Sequence, residues 1–380
     1  MLKHKSIKSK PIKVKFDEME KVLHTLFLKH HFSDKKAKTL AKVYTENTLD
    51  GINSHGINRV KHFIKYVEKG IINVKAEAEK SESFGCIERW DGHFGAGIIN
   101  ATKCMERAIT LSKEHGIGLV ALRNTNHWMR GGTYGWQAAN SGCISIAFTN
   151  TQPNMPPWGG KESRLGNNPL VISIPRKEGH VVLDMAMSQF AFGKINSYKL
   201  KGEKLPFPGG WDANDKLSND PEKILDNERG LPIGYWKGSA LSMTLDMLAT
   251  LLSVGNSTYE IGKNKYETGV SQIFISIFPK LFHDTNLQEK LLNEIIQYSH
   301  DVEPMETGKR TYYPGEKTLE LRNKHLKEGI PVDKEIWQDI LNISFEKTRF
   351  SSPLFKLKLL NQQSYQLTVY LIACYNFCFN

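Results

Sequence analysis

Hydrophobic residues recur with a helical period at both ends of this chain and as short β-rich runs through its middle, and this change of period most limits the folds open to it. From Phe16 to Phe32 the apolar residues Met19, Val22, Leu23, Leu26 and Phe27 take the i, i+3, i+4, i+7 spacing of an amphipathic helix. Ser33 suits the N-cap of a second helix with Ala37, Leu40, Ala41 and Tyr44 turned inward. Val60, Phe63, Ile64 and Val67 repeat the pattern, and Gly70 fits the position that ends such a helix. Runs from Gly118 to Leu122, Cys143 to Thr149, Leu170 to Pro175, Val181 to Met185 and Val270 to Phe278 read as strands. Helical patterns separate them at Ile98 to His115, closed by Gly116, and at Ser239 to Val254. Beyond Leu287 the helical period returns through Leu291, Ile295, Leu319, Leu326, Ile336 and Ile340, so the two chain ends can pack together beside the sheet.

The expected class is therefore α/β (α+β). The expected organisation is a basic arm over 1–15, a helical domain from 16–80 and 284–345, an α/β domain over 81–283, and a tail over 346–380 that continues no earlier period. The Pro-, Gly-, Asp- and Asn-rich stretch from Lys201 to Arg229 reads as a long surface excursion. An apolar content of 40% is ordinary for a globular protein. No run approaches the roughly 20 apolar residues of a membrane span, so no membrane partner is expected. The lysine-rich N-terminus lacks an apolar h-region, which points to the cytoplasm. Cys86, Cys104, Cys143, Cys374 and Cys378 form no C-x-x-C pair, so they are expected to be reduced thiols with no metal site. The net charge of +11 belongs in part to the arm and is not interleaved with aromatics, so it favours anionic small molecules over nucleic acid.

Spacing alone identifies no cofactor. The glycine fingerprint of a doubly wound nucleotide-binding fold is absent, and Gly116-x-Gly118-x-x-Ala121 leaves a helix to enter a strand, the wrong order for cradling a pyrophosphate. Two histidines stand out by context. His55 lies in the polar, glycine-flanked turn Ser54-His55-Gly56, with Arg59 one turn later, where the cation could grip a carboxylate while the imidazole faces the reacting carbon. A solvated histidine in a helix-joining turn is the plainer reading of the same residues. His127 follows a buried-type strand at its carboxyl end, where α/β sheets place ligands, although loop carbonyls could equally satisfy it. Trp236 and Lys237 precede a helix start that could meet a phosphate, or that could be an ordinary cap with an exposed lysine. Zinc-hydrolase, Walker-type and G-x-S-x-G signatures are all missing.

The strings Ser54-His55-Gly56-x-Asn58-Arg59, GIGLVALRNTNHWMRGGTYGWQAA, MPPWGGKE, NNPL and LPIGYWKGSALSMTLDMLATLLS together resemble the malate/L-lactate dehydrogenase family. The likeness runs from about Phe16 to Leu341 and is strongest to the branch that reduces 2,3-diketo-L-gulonate. It implies a non-Rossmann fold with a largely antiparallel sheet, in a bacterial, cytoplasmic homodimer. It implies NADH, rather than NADPH, as hydride source for reduction of that small anionic sugar acid to 3-dehydro-L-gulonate, with His55 as proton donor. Arg59 and His127 would line the substrate pocket. Cofactor contacts would fall on His180, Val181, Val182, Leu183, Asp184, Met185 and Ala186, on Trp236 and Lys237, and on Gly315, Glu316 and Lys317. Two departures from close relatives are Lys194, where they have Met, and Glu316-Lys317, where they have His-Glu. Other members act on malate, lactate, sulfolactate, ureidoglycolate or cyclic imino acids. The alternative from another class is a basic nucleic-acid-binding protein, which would bind with a steep salt dependence and ignore NADH.

Overall fold

The computed structural model describes residues 11–281 and 284–345. The helices are α1 (Phe16–Lys29), α2 (Asp34–Leu49), α3 (Ile57–Glu68), α4 (Gly97–His115), α5 (Gly132–Asn140), α6 (Phe192–Lys201), α7 (Pro221–Asn227), α8 (Trp236–Ser253), α9 (Thr258–Gly262), α10 (Thr285–His300), α11 (Glu316–Glu328) and α12 (Lys334–Phe345). The strands are β1 (Ile12–Val14), β2 (Glu79–Phe84), β3 (Ile87–Asp91), β4 (Ile117–Thr125), β5 (Ile144–Thr149), β6 (Leu170–Ile174), β7 (Val181–Met185), β8 (Gly210–Trp211), β9 (Leu217–Ser218), β10 (Val270–Ile277) and β11 (Ile330–Val332). The described residues up to Ser344 form one compact unit.

Seven strands make one sheet in the order β2-β3-β4-β10-β5-β6-β7. Only the β3–β4 pair is parallel, as the α4 crossover between them requires; every other neighbour is antiparallel. The sheet is α/β in class and largely antiparallel. Side chains alternate across it with the period of two that extended backbone imposes. Val120, Leu122 and Phe274 pack against Ala101, Met105 and Ala108 of α4 and Tyr134 of α5. Ala121, Phe148 and Ile273 face the other way, against Leu245 and Ala249 of α8. Covered on both faces, β10 is buried through its first five residues.

The helical period at the chain ends builds a separate cluster. Phe27, Phe32, Tyr44 and Phe63 form an aromatic centre from α1, the α1–α2 turn, α2 and α3, with neighbouring ring centroids 5.7–6.1 Å apart. Ile330, Val332, Trp337 and Ile340 from the other end of the sequence complete it. The two ends are stitched by β1 against β11, with Ile12 opposite Val332 and Val14 opposite Ile330.

Some expectations meet a different arrangement. Ile12–Val14, within the expected basic arm, is a strand with Val14 buried. The stretch from Lys201 to Arg229 is not structureless: it holds the β8–β9 hairpin and α7, and Leu205 and Ile224 join Ile195 in a small core. The returning helical period at Leu287, Leu291 and Ile295 belongs to α10, no residue of which is buried. Residues 1–10 and 346–380, including Cys374 and Cys378, lie outside the described residues, whereas Cys86, Cys104 and Cys143 are free thiols.

Candidate active site

The turn that carries His55 is gripped by the last turn of α2. Asn47 Nδ2 donates to the His55 carbonyl at 3.1 Å, and the Thr48 hydroxyl accepts from the Ile57 N–H at 2.9 Å. Gly56 allows this approach, because a Cβ there would lie 2.4 Å from Thr48 Oγ1. A single 3₁₀ turn, Asn53–His55, then presents the imidazole, whose Nδ1 is 3.1 Å from Ser54 Oγ.

His127 is delivered from the opposite side by the carboxyl end of β4. Gly97, the first residue of α4, lies against the 126–127 backbone so closely that a Cβ would be 2.3 Å from the His127 carbonyl oxygen. Met129 takes a left-handed backbone with φ of 65°, a conformation that costs a β-carbon residue about 1–2 kcal/mol. The result is functional geometry: the Met129 N–H turns back and donates to His127 Nδ1 at 2.9 Å. A neutral imidazole that accepts at Nδ1 must carry its proton on Nε2, so the tautomer is fixed. The His55 and His127 rings are stacked, 5.7 Å between centroids and 20° between planes.

Arg59, one turn into α3, completes the group. No hydrogen bond or ion pair to another described residue holds its guanidinium. Burial, the His127 ring, Arg59 and Arg130 together push His55 down to about 3. Burial, Arg59 and His62 do the same to His127, also to about 3. His62 falls to about 4, chiefly through burial and the Arg59 charge. Two neutral imidazoles thus lie beside the Arg59 guanidinium, a cation suited to an acid group.

Sequence reasoning missed three residues here. Arg130 forms a buried ion pair with Asp50, which Arg322 also grips at 2.7 Å, and its Nε is 3.8 Å from Asp184. His62 follows Arg59 by three residues, one turn along α3, and that helical spacing was the available signal. Glu267 has no local signal at all. It reaches the cluster from the loop before β10, with Oε1 4.0 Å from His127 Nε2 and Oε2 accepting from the Gln152 N–H at 3.1 Å. Burial raises its carboxyl above the usual range against the pull of that N–H, Arg59 and His62.

The expected cofactor residues fall along the outermost strand. His180, just before β7, accepts from the Arg176 N–H at Nδ1 and so donates from Nε2 to Asn140 Oδ1, both at 3.0 Å. Gly315 meets it there: with φ of 99°, its Cβ position lies 3.1 Å from the His180 oxygen and from the Val182 nitrogen. The Val182 N–H donates to Pro314 at 2.8 Å, while Val181, Leu183 and Met185 continue the strand paired to β6 and Ala186 leaves it. Asp184 accepts from the Gly132 N–H at 2.8 Å; burial raises it, opposed by Arg130 and that N–H. Past the strand, the Ile233 N–H donates to Met187, which brings the start of α8 and the exposed Trp236 and Lys237 to its far end. The expected residues thus fall in two groups: His55, Arg59 and His127 in one cluster, and the 180–186 strand flanked by Gly315 and by Trp236-Lys237. Glu316 does not offer a free carboxylate, since Arg310, His300 and the Tyr313 N–H take it, and Lys317 lies over the Tyr312 ring. Lys194 sits on the exposed side of α6, over the Tyr198 ring.

These residues fit a dinucleotide. The strand lies at the sheet's edge, where Pro314 takes the outward Val182 N–H, and an 18-residue helix opening beside Lys237 suits a phosphate. Trp136 Nε1, buried without a partner beside Gly315, is a donor that a ligand oxygen would satisfy.

Comparison with known proteins identifies the family. The model of a family described as malate/L-lactate dehydrogenase matches residues 14–341. Proteins named 2,3-diketo-L-gulonate reductase from Salmonella paratyphi A and Salmonella typhimurium are 42% identical over 330 residues, 87% of this chain and 99% of theirs. Among solved structures, malate dehydrogenase from Entamoeba histolytica superposes with a TM-score of 0.84 at 27% identity, covering 88% of this chain and 97% of that one. Sulfolactate dehydrogenase from Methanocaldococcus jannaschii gives 0.77 at 30% identity, covering 87% and 96%. The chain belongs to the malate/L-lactate dehydrogenase family and is an oxidoreductase acting on CH–OH groups.

Proposed function

We propose that the protein reduces 2,3-diketo-L-gulonate to 3-dehydro-L-gulonate with NADH, in the cytoplasm and as a homodimer, and that His55 supplies the proton. The observation that carries the mechanism is the stacked His55–His127 pair beside Arg59. The substrate class comes from the 42% identity to the named reductases. The nicotinamide supplies hydride when bound. What the chain must do is bind a 2-oxo acid, hold its carbonyl in reach and deliver one proton to the oxygen as charge develops there.

Arg59 holds the substrate carboxylate, ideally through two parallel N–H···O bonds. Burial is the main cause of the His55 depression, and the acid's negative charge offsets the part that comes from the neighbouring cations. His55 gains a proton in that complex, and the imidazolium passes it to the nascent alkoxide. His127, with its proton fixed on Nε2, is a hydrogen-bond donor that orients the substrate and needs no ionisation to do so. Asn47 couples the two proposed ligand regions: it holds the His55 carbonyl and accepts from Thr133, whose neighbour Gly132 binds Asp184 on the cofactor strand.

NADH oxidation followed with 2,3-diketo-L-gulonate, oxaloacetate, pyruvate and sulfopyruvate tests the substrate. Preferred turnover of oxaloacetate, pyruvate or sulfopyruvate would replace this reading with another acid of the same family, as the malate and sulfolactate neighbours allow. His55→Ala should lower kcat by about 10²–10⁴-fold, the usual contribution of a general acid, with NADH affinity within twofold. An undiminished rate removes His55 from its role.

A further inference from the structure

We infer that Glu267 and His127 form a two-point receptor for a substrate hydroxyl, and thereby select a hydroxylated acid over a dicarboxylate. The inference rests on the reading that the His55 cluster is the substrate site, and it adds which part of the substrate the far side of that cluster recognises.

A gap separates the two side chains. Glu267 Oε1 and His127 Nε2 face each other at 4.0 Å, too far for a hydrogen bond and close enough for one oxygen to bridge them at roughly 2.8 Å from each. The two sides of the gap are chemically unlike. His127 must donate, because the Met129 N–H occupies Nδ1 and leaves the proton on Nε2. Glu267 as a carboxylate can only accept. A hydroxyl is the common substrate group that accepts from one side and donates to the other. A carboxylate or sulfonate oxygen can satisfy His127 but has nothing to give Glu267, and it sets two anions against each other in a partly buried site.

The position of Glu267 is well defined. Its Oε2 is tied to the Gln152 N–H at 3.1 Å, and its neighbours point elsewhere: Tyr266 is bonded to Lys69 at 2.9 Å, and Gly269 begins the entry to β10. The side chain is 17% exposed and that of His127 25%, so a ligand can reach both. The Arg59 guanidinium supplies the positive charge that keeps an acidic group tolerable there. Across the cluster, Arg59 takes the acid group of the substrate, and the Glu267–His127 gap takes a hydroxyl farther along the same carbon chain.

The test is calorimetric binding of L-gulonate, L-lactate and L-malate to the NAD⁺ complex of wild type, Glu267→Gln and Glu267→Leu. Wild type should bind L-gulonate at least tenfold more tightly than L-malate. Glu267→Gln keeps an acceptor oxygen without the charge, so L-malate should tighten at least tenfold while L-gulonate changes less than threefold. Glu267→Leu removes the acceptor and should cost L-gulonate at least tenfold, with L-lactate affinity held within threefold. Parallel shifts of L-gulonate and L-malate, or an unmoved L-malate constant, overturn the inference. Wild type that binds L-malate or L-lactate as well as L-gulonate overturns the hydroxylated-acid reading itself, and is recognised before either variant is compared. NADH fluorescence on both variants reports that the fold is retained.

Discussion

His55 and His127 are costly to keep as they are. Both are neutral in the folded protein with values near 3, whereas an unfolded histidine titrates near 6.5. The unfolded chain therefore binds protons that the folded chain refuses as pH falls. Stability contributed by these groups is fully present above about 6.5 and is lost on descent towards 3, at ~1.4 kcal/mol per pH unit for each histidine. His62, lowered to about 4, adds to the same slope. Thermal unfolding at pH 7.5, 6 and 5 should show a steep fall in Tm that His127→Gln makes shallower. An equal slope in the variant would mean that burial does not hold His127 neutral. The same depression has a catalytic counterpart. If an anionic substrate restores the His55 proton, binding must take up protons at pH 7, and calorimetry in buffers of different ionisation enthalpy measures that uptake directly. Zero uptake would require the proton to come from elsewhere.

At the level of elements, the site exists because short segments are locked by contacts distant in sequence. Asp50, 1% exposed, receives both Arg130 from the loop after β4 and Arg322 from α11, so three parts of the chain meet on one carboxylate. Asp50→Asn leaves two guanidinium groups facing a neutral amide and should cost about 3–5 kcal/mol in denaturant unfolding. Gly97 is the other lock. Gly97→Ala would drive a methyl into the 126–127 backbone, displace His127, and lower kcat/KM far more than NADH affinity; equal losses would show a merely structural glycine. Much of this framework is legible from local pattern. The 3.6-residue stripes of α1 to α4 and the apolar runs of β4 to β7 and β10 depend on burial, which the sequence encodes in register. β2 and β3 were not legible: Glu79–Phe84 is charged and wholly exposed, and its strand state comes from pairing alone. The same division holds at the site. The turn at His55 and the strand end at His127 are local features, whereas Glu267 and Asp50 act through distances that no spacing rule contains.

The whole molecule leaves one face unexplained by a single copy. Helix α8 carries apolar side chains on its outer side as well as its inner one. Its inner residues Leu245 and Ala249 meet the sheet, while Met243, Met247, Leu248 and Leu251 lie open, with Leu251 73% exposed. Leu291 and Ile295 of α10 are likewise uncovered, at 49% and 64%. Monomeric proteins rarely leave a row of apolar side chains such as that of α8 to water. A second copy of the chain is the occupant consistent with the proposed homodimer, and it would place an interface on the helix that opens with Trp236 and Lys237. Sedimentation should then give twice the 43.2 kDa chain mass. Met247→Lys with Leu251→Lys introduces four charges across a two-fold interface and should yield monomers at micromolar concentration, since like charges brought together there cost several kcal/mol. Because Trp236 and Lys237 belong to the same helix, the monomeric variant should also bind NADH at least tenfold more weakly. A variant that sediments as a monomer yet keeps full NADH affinity would separate the cofactor strand from the assembly, and a wild-type monomer would leave the exposed face of α8 for some other partner.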